Sequence, residues 1–288
     1  MTAFGVEIIR EAHPMIVAKA QGELVERMDP GFWDAMWVEV LAGLDKTCPT
    51  TTLAHFVTFI TYGVIVVKKE RFFTESGVRY ISSTIVRNTG LSFHLNPLYV
   101  PLDDKRNDPS RKPQRGDILF NRSGVGTLGR CTVFRYEPAD WIISDNVTLI
   151  RVDRLDPCYV TVFLLSRSGQ TQIQRLLHGV SGQTKISFDE IRSINVPLLP
   201  VGMQHHISVQ YEQMSKYHDL AVDSMNEAKK AHEHGNKTAE KRYSAEYEDN
   251  IAMAEAILKD LIRQIEEIIE GTRTEIEPVD RVLQESQG

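Results

Sequence analysis

The chain is poor in the residues that most often advertise chemistry. It has three cysteines in 288 residues, Cys48, Cys131 and Cys158, with no CxxC pair, which excludes a dithiol redox motif or a paired-cysteine zinc site and leaves small buried thiols. Long apolar runs are missing, so no segment approaches the roughly 18 residues of a membrane span. The N-terminal MTAFGVEIIREAHP is acidic where a secretory leader starts basic and turns apolar, and the chain reads as cytoplasmic. There is no HExxH and no GxxxxGK[ST], which removes two common metal and phosphate chemistries. The stretch HGVSG, His178 to Gly182, spaces its glycines as GxSG and not as the GxSxG of a nucleophile elbow. His205, His206, His218, His232 and His234 lie in the helical part without a third convergent ligand. No metal, no cofactor and no catalytic residue is expected.

What the chain does have is an ordinary globular composition, 42% hydrophobic and 25% charged, with length for one large or two modest domains. Its net charge of -6 hides an asymmetry: residues 51–200 hold 19 Lys+Arg against 13 Asp+Glu, and the remainder holds 14 against 26. A basic middle between acidic flanks is the footprint of a phosphate-binding surface.

The pattern divides the chain into four parts. Residues 1–50 form an N-terminal helical segment, in which Asp29-Pro30 opens an amphipathic helix carrying Phe32, Trp33, Met36, Trp37, Val40, Leu41 and Leu44. Residues 51–200 are strand-rich, with runs such as HFVTFITYGVIVV, VRYISSTIV, GDILFNRSG, GRCTVFRY, WIISDNVTLIRV and KISFDEIRSINVPLLP, interrupted by one helix over 159–177. Residues 201–270 are helical: Tyr247, Ile251, Ala254, Leu258, Leu261, Ile265 and Ile268 make an unbroken a/d seam, and His218, Ala221, Met225, Ala228 and His232 make an earlier one in a different register. Gly235-Asn236 between the seams marks either a hairpin or a bend. Residues 271–288 read as a flexible tail. The fold class is α+β, a strand-rich domain followed by long coiled-coil-type helices.

GVGTLG, Gly124 to Gly129, spells the GxGxxG of a dinucleotide pocket. That fingerprint needs a helix after the glycines, and here RCTVFRY follows, a second strand. The glycines therefore join two strands, with Arg122, Ser123, Thr127 and Arg130 beside an exposed backbone. Guanidinium forks and hydroxyls in that setting suit phosphate oxygens or base edges.

Three stretches taken in order, GDILFNRSGVGTLGR, SGQTKIS (Ser181 to Ser187) and INVPLLPVGMQHHI (Ile194 to Ile207), resemble the target-recognition domain of the specificity (S) subunit of type I restriction-modification enzymes. RMDPGFW (Arg27 to Trp33) and the TYGV…GVRYISS region (Thr61 to Ser83) are similar to the entry segments of that family. The resemblance covers roughly residues 27 to 230. It implies a non-catalytic subunit that reads one half of an interrupted site in double-stranded DNA. Its helices would set a spacing and dock DNA adenine methyltransferase subunits, with a restriction subunit as a further candidate partner in phage defence. No NPPY-like tetrapeptide occurs, which agrees with methylation by a separate protein. The family pattern has two recognition domains and this chain has room for one, so the resemblance implies a half-subunit that forms a homodimer through its helices. The residues expected at the DNA are Arg79, Ser82, Ser83, Arg87 and Asn88; Asn121, Arg122, Ser123, Thr127 and Arg130; and Ser181, Gln183, Thr184 and Lys185. Lys105, Arg106, Arg111 and Lys112 form a basic loop suited to backbone contact. The alternative is a coiled-coil adaptor that binds protein and has no DNA specificity.

Overall fold

The computed structural model describes residues 7–9, 16–18, 40, 43–44, 48–64, 73–102, 108–177 and 184–278. Within the first 50 residues, β1 (Glu7–Ile9) and β2 (Ile16–Ala18) pair as a short antiparallel ribbon. Most of the helix expected after Pro30 lies outside the described residues; positions 40, 43 and 44 within it are helical, and Leu44 is buried.

The head is built from β3 (Thr50–Thr52), β4 (Val57–Tyr62), β5 (Val78–Ile81), β6 (Tyr99–Val100), β7 (Ile118–Asn121), β8 (Cys131–Val133), β9 (Trp141–Ile143) and β10 (Val147–Val152). It is completed by the helices α1 (Pro157–Leu165), α2 (Arg167–Leu176) and α3 (Phe188–Arg192), and by β11 (Asn195–Pro197). An antiparallel sheet runs in the order β4-β10-β7-β8, and a second runs β6-β5-β9 with β5 and β9 parallel. β3 and β11 pair antiparallel, Thr50 opposite Pro197, which brings the two ends of the head together.

Strand alternation assigns the core. In β7 the side chains of Ile118 and Phe120 enter one apolar cluster, with Tyr159, Val162 and Phe163 of α1, while Leu119 enters a second with Ile81, Ile143 and Phe134. The four-stranded sheet is therefore covered on both faces, which is why ILFN is buried throughout. α1, PCYVTVFLL, is apolar on all sides because it sits inside this core.

Local chemistry divided the helix expected over 159–177. Asp156 caps α1 by accepting from the N–H groups of Cys158 and Tyr159, and Pro157 occupies its first turn. Ser166 then leaves the helical conformation and accepts from Gly169 N as the cap of α2. The run KISFDEIR, strand-like by its alternation, holds α3 instead. Ser187 and Glu190 form a reciprocal capping box there, and that closes two orphan N–H groups at once.

After the head come α4 (Val201–Glu233) and α5 (Lys237–Ile269), 33 residues each and so about 50 Å long. They fold back as a hairpin about His234-Gly235-Asn236, where Gly235 has φ +69° and Asn236 caps α5 by accepting from Ala239 N. His232 meets Glu240 across the turn. The α5 seam residues Ala254, Leu258, Leu261, Ile265 and Ile268 are buried, as are His218, Ala221 and Ala228 of α4, whereas His232 is exposed. At the base, Ile207, Tyr211 and Met214 of α4 and Leu261 and Ile265 of α5 belong to the same apolar cluster as the sheet and α1. Residues 272–278, which the sequence assigns to a tail, pack back on this base: Ile276 is buried, Glu277 N donates to Gln264 Oε1 at 2.7 Å, and Arg273 pairs with Glu267 at 2.6 Å. No helix among the described residues is long and apolar enough to cross a membrane.

Candidate nucleic-acid interface

The glycine turn joins β7 to β8. Asn121 N donates to Arg130 O at 2.8 Å and Gly129 N to Asn121 O at 2.9 Å, so the turn closes on its own strands. Gly124, Gly126 and Gly129 have φ of +112°, +72° and +81°, backbone that side-chain-bearing residues rarely adopt. A strand follows Gly129, so no helix N-terminus is aimed at a pyrophosphate, and the dinucleotide spelling has no dinucleotide geometry. Val125 at the tip is 84% exposed.

Three segments distant in sequence meet at this turn. The side-chain amide of Asn121 donates to Ser83 O at 2.8 Å, which ties the 82–88 loop to the base of the turn. On the other side Ser123 bridges Lys185, and Ile186 N donates to Arg122 O at 3.1 Å. Asn146, between β9 and β10, anchors the join. Its carbonyl accepts from Arg122 N at 3.0 Å, and its Oδ1 accepts from Ser123 Oγ at 2.5 Å.

Arg122 holds the centre of the assembly. Its guanidinium carbon lies 5.1 Å from the ring centroid of Tyr62 and 5.5 Å from that of Phe188, and these two rings are 5.6 Å apart. Nε is buried without a partner, and among the described residues no acceptor takes its Nη donors. A planar guanidinium set on aromatic faces is pre-organised and loses little further freedom when its remaining donors are engaged. Arg111 approaches the same Tyr62 ring, 5.9 Å from its centroid, and donates to Gly63 O at 3.2 Å. Lys185 is exposed beside this group, and Thr184 is half-buried.

The other expected residues divide. Asn121 is fully buried and acts as an internal tie. Ser123 is 5% exposed, and Thr127 Oγ1 donates back to Ser123 O; both shape the turn. Ser82 bonds Thr84 at 2.8 Å. Arg79 sits toward the opposite end of β5 from Ser82, stacked over Trp141 at 5.1 Å and near Asp140 at 3.9 Å, which gives it a place in the second sheet and not at the turn. Arg87 and Asn88 occupy a tight turn closed by Arg87 N to Gly90 O at 2.9 Å. With Arg130 they line a groove of about 580 Å³ whose far wall is α5. Partial burial, with the Arg87 guanidinium as a second cause, holds Arg130 below the usual arginine range. Ser181 and Gln183, and Lys105 and Arg106 of the basic loop, lie outside the described residues. Arg111 and Lys112 of that loop are held by backbone carbonyls, Lys112 Nζ donating to Ala139 O at 2.9 Å.

Sequence reading missed Tyr62 and Phe188. Tyr62 ends a strand just before Gly63, and Phe188 opens a capped helix; both are unremarkable until the fold sets them under Arg122. No cluster of three or more His, Cys, Asp or Glu suited to a metal ion occurs among the described residues.

The chain matches no protein-family model and no curated protein. Among solved structures it is similar to the S subunit of a type I restriction-modification system from M. genitalium, with a TM-score of 0.43 and 12% identity over 66% of this chain and 44% of that one. A chain from a structure on complex assembly and conformational transition of the type I R-M system also has a TM-score of 0.43 and 12% identity, over 79% of this chain and 47% of that one. The HsdS subunit from Thermoanaerobacter tengcongensis has a TM-score of 0.39 and 11% identity, over 82% of this chain and 51% of that one. The chain thus spans about half the length of the solved structures it is similar to.

Proposed function

We propose that this protein is a DNA-recognition subunit of a type I-like restriction-modification or related phage-defence complex, non-catalytic and cytoplasmic. In this reading the head reads one half-site in the duplex, and the helical hairpin docks adenine methyltransferase subunits at a set distance from it. The observation that supports it best is the convergence of the 82–88, 121–130 and 184–186 segments on one edge, with the Arg122 fork free. Phosphate contacts fix register, whereas sequence is read by forks of this kind at base edges.

Arg122 is the base reader in this reading, and guanine, with O6 and N7 side by side, is its matching partner. Selection of bound duplexes from a random library should enrich a motif, and Arg122→Ala should cost at least about 1 kcal/mol on that motif. A protein-binding adaptor would enrich no motif, and that result would overturn the proposal. Pairing of two copies is part of the reading. Because the α5 seam from Ala254 to Ile268 is buried within this chain, against α4 and the head, the pairing uses other faces of the helices. A two-fold pair should select an interrupted palindrome, and enrichment of an asymmetric bipartite site would count against it.

A further inference from the structure

The groove between the head and α5 has a charge arrangement that its own neighbours leave unanswered. Arg87 and Arg130 line it from the head, Lys259 from α5, and Glu255 is the one acid on the lining. Among the described residues none of the three cations forms an ion pair, although other arginines of the head are well matched: Arg151 holds both oxygens of Asp117 at 2.7 and 2.8 Å, and Arg135 spans Glu212 and Asp219 at 3.1 Å each. Like charges set together without a partner destabilise a fold, and an anion reverses that cost. Lys259 lies in a region, residues 201–270, that holds 8 basic against 14 acidic residues.

The groove and the glycine-turn edge are built from two shared segments. The 82–88 loop contributes Ser83 to the glycine turn and, four residues later, Arg87 to the groove; the turn itself begins with Arg122 and ends with Arg130. Four to eight residues of chain reach at most about 13–28 Å, and one DNA strand carries a phosphate for every 3.4 Å or so of rise.

We infer that this groove holds the backbone of the DNA whose bases the glycine-turn edge reads. Arg87, Arg130 and Lys259 contact phosphates, so that the binding surface crosses from the head onto helix α5. The inference rests on the DNA reading above and adds a second wall to it. Asn88, whose amide can present its NH2 donors to an anion, completes the head side, and Glu255 tempers the charge.

The test is fluorescence anisotropy of the full chain on two duplexes, one carrying the selected motif and one unrelated, from about 50 to 300 mM salt. Lys259→Ala should weaken binding to both duplexes by the same factor, about 3- to 10-fold near 0.1 M salt, and reduce the slope of log affinity against log salt by about 1. Arg87→Ala should behave alike, and Glu255→Gln should tighten both duplexes. Lys259 and Glu255 are exposed, so the fold should survive these changes. Wild-type affinity and slope in Lys259→Ala, with the motif still bound, would overturn the groove and leave the base-reading edge standing. A wild-type chain that binds neither duplex would overturn both. Calorimetric binding of AMP at one site, lost in Arg87→Ala, would give the groove to a free nucleotide and overturn the inference as well.

Discussion

Asp117 and Arg122 show two uses of charge in one strand-rich head. Asp117 is 1% exposed, takes both forks of Arg151, and accepts from Gln114 N at 2.5 Å. Asp117→Ala should therefore cost about 2–4 kcal/mol, since it strands a guanidinium and a backbone donor together. A urea titration that shows a midpoint unchanged from wild type would refute this. Arg122 is the opposite case, held by aromatic faces and with no acceptor for its side-chain donors among the described residues. Its position was legible in the sequence because a glycine turn beside arginine and serine is a local pattern. Asn121, one residue earlier, looks equally suitable on paper but is sealed in the core, because its strand is covered on both faces. Tyr62 and Phe188 were not legible at all, since their role depends on contacts 60 and more residues apart.

Among the elements, long periodic segments were readable and junctions were not. The a/d spacing over Tyr247 to Ile268 marks α5 because a repeat of 3.5 residues has no other common cause. The choice between a bend and a hairpin was not in the spacing; it is made by the packing of α4 on α5 and by positive φ at Gly235. A single serine cap broke the expected helix at Ser166, and a capping box turned a strand-like run into α3, cases where local hydrogen bonds override periodicity. Head and hairpin meet at Tyr211 of α4. Its buried hydroxyl accepts from Val133 N at 3.0 Å and lies 3.0 Å from Thr132 Oγ1. Burial, above all, pushes that phenol well above the usual tyrosine range, so it stays neutral. Tyr211→Phe leaves the Val133 N–H without an acceptor and should lower unfolding stability by about 1–3 kcal/mol, with Thr132→Val as the milder comparison. Equal midpoints for Tyr211→Phe and wild type would show that water replaces the hydroxyl and that the docking rests on packing alone.

For the whole molecule, a further tie between head and hairpin is a pair of buried histidines, and it makes the assembly sensitive to acid. His218 of α4 bonds Thr89 at 2.9 Å, and Gly90 lies so close that an added Cβ would fall 2.4 Å from the imidazole. His94 from the head packs edge-on against Tyr247 of α5 at 5.6 Å, while Lys229 of α4 donates to its carbonyl. Burial is the main cause that lowers both imidazoles, His94 to about 4, and Lys229, His218 and Arg87 act on it in the same direction. For His218, Arg135 and Arg87 add to burial, while Asp219 and the Leu91 backbone oppose it. In the unfolded chain both rings take up a proton near pH 6.5. Below that pH the unfolded state binds more protons than the folded one, so stability is full above about 6.5 and falls as the pH drops toward 4. The loss should be on the order of 3 kcal/mol for His94. Urea midpoints measured at constant ionic strength should fall over that window, and His94→Gln should flatten the decline while leaving the midpoint near pH 7.5 little changed. A wild-type midpoint that stays level from pH 7 to 4.5 would mean that the junction opens to admit the charged rings. Arg87 and Lys259 line the groove at this same junction from its two sides, so such opening would also part the two walls of the groove.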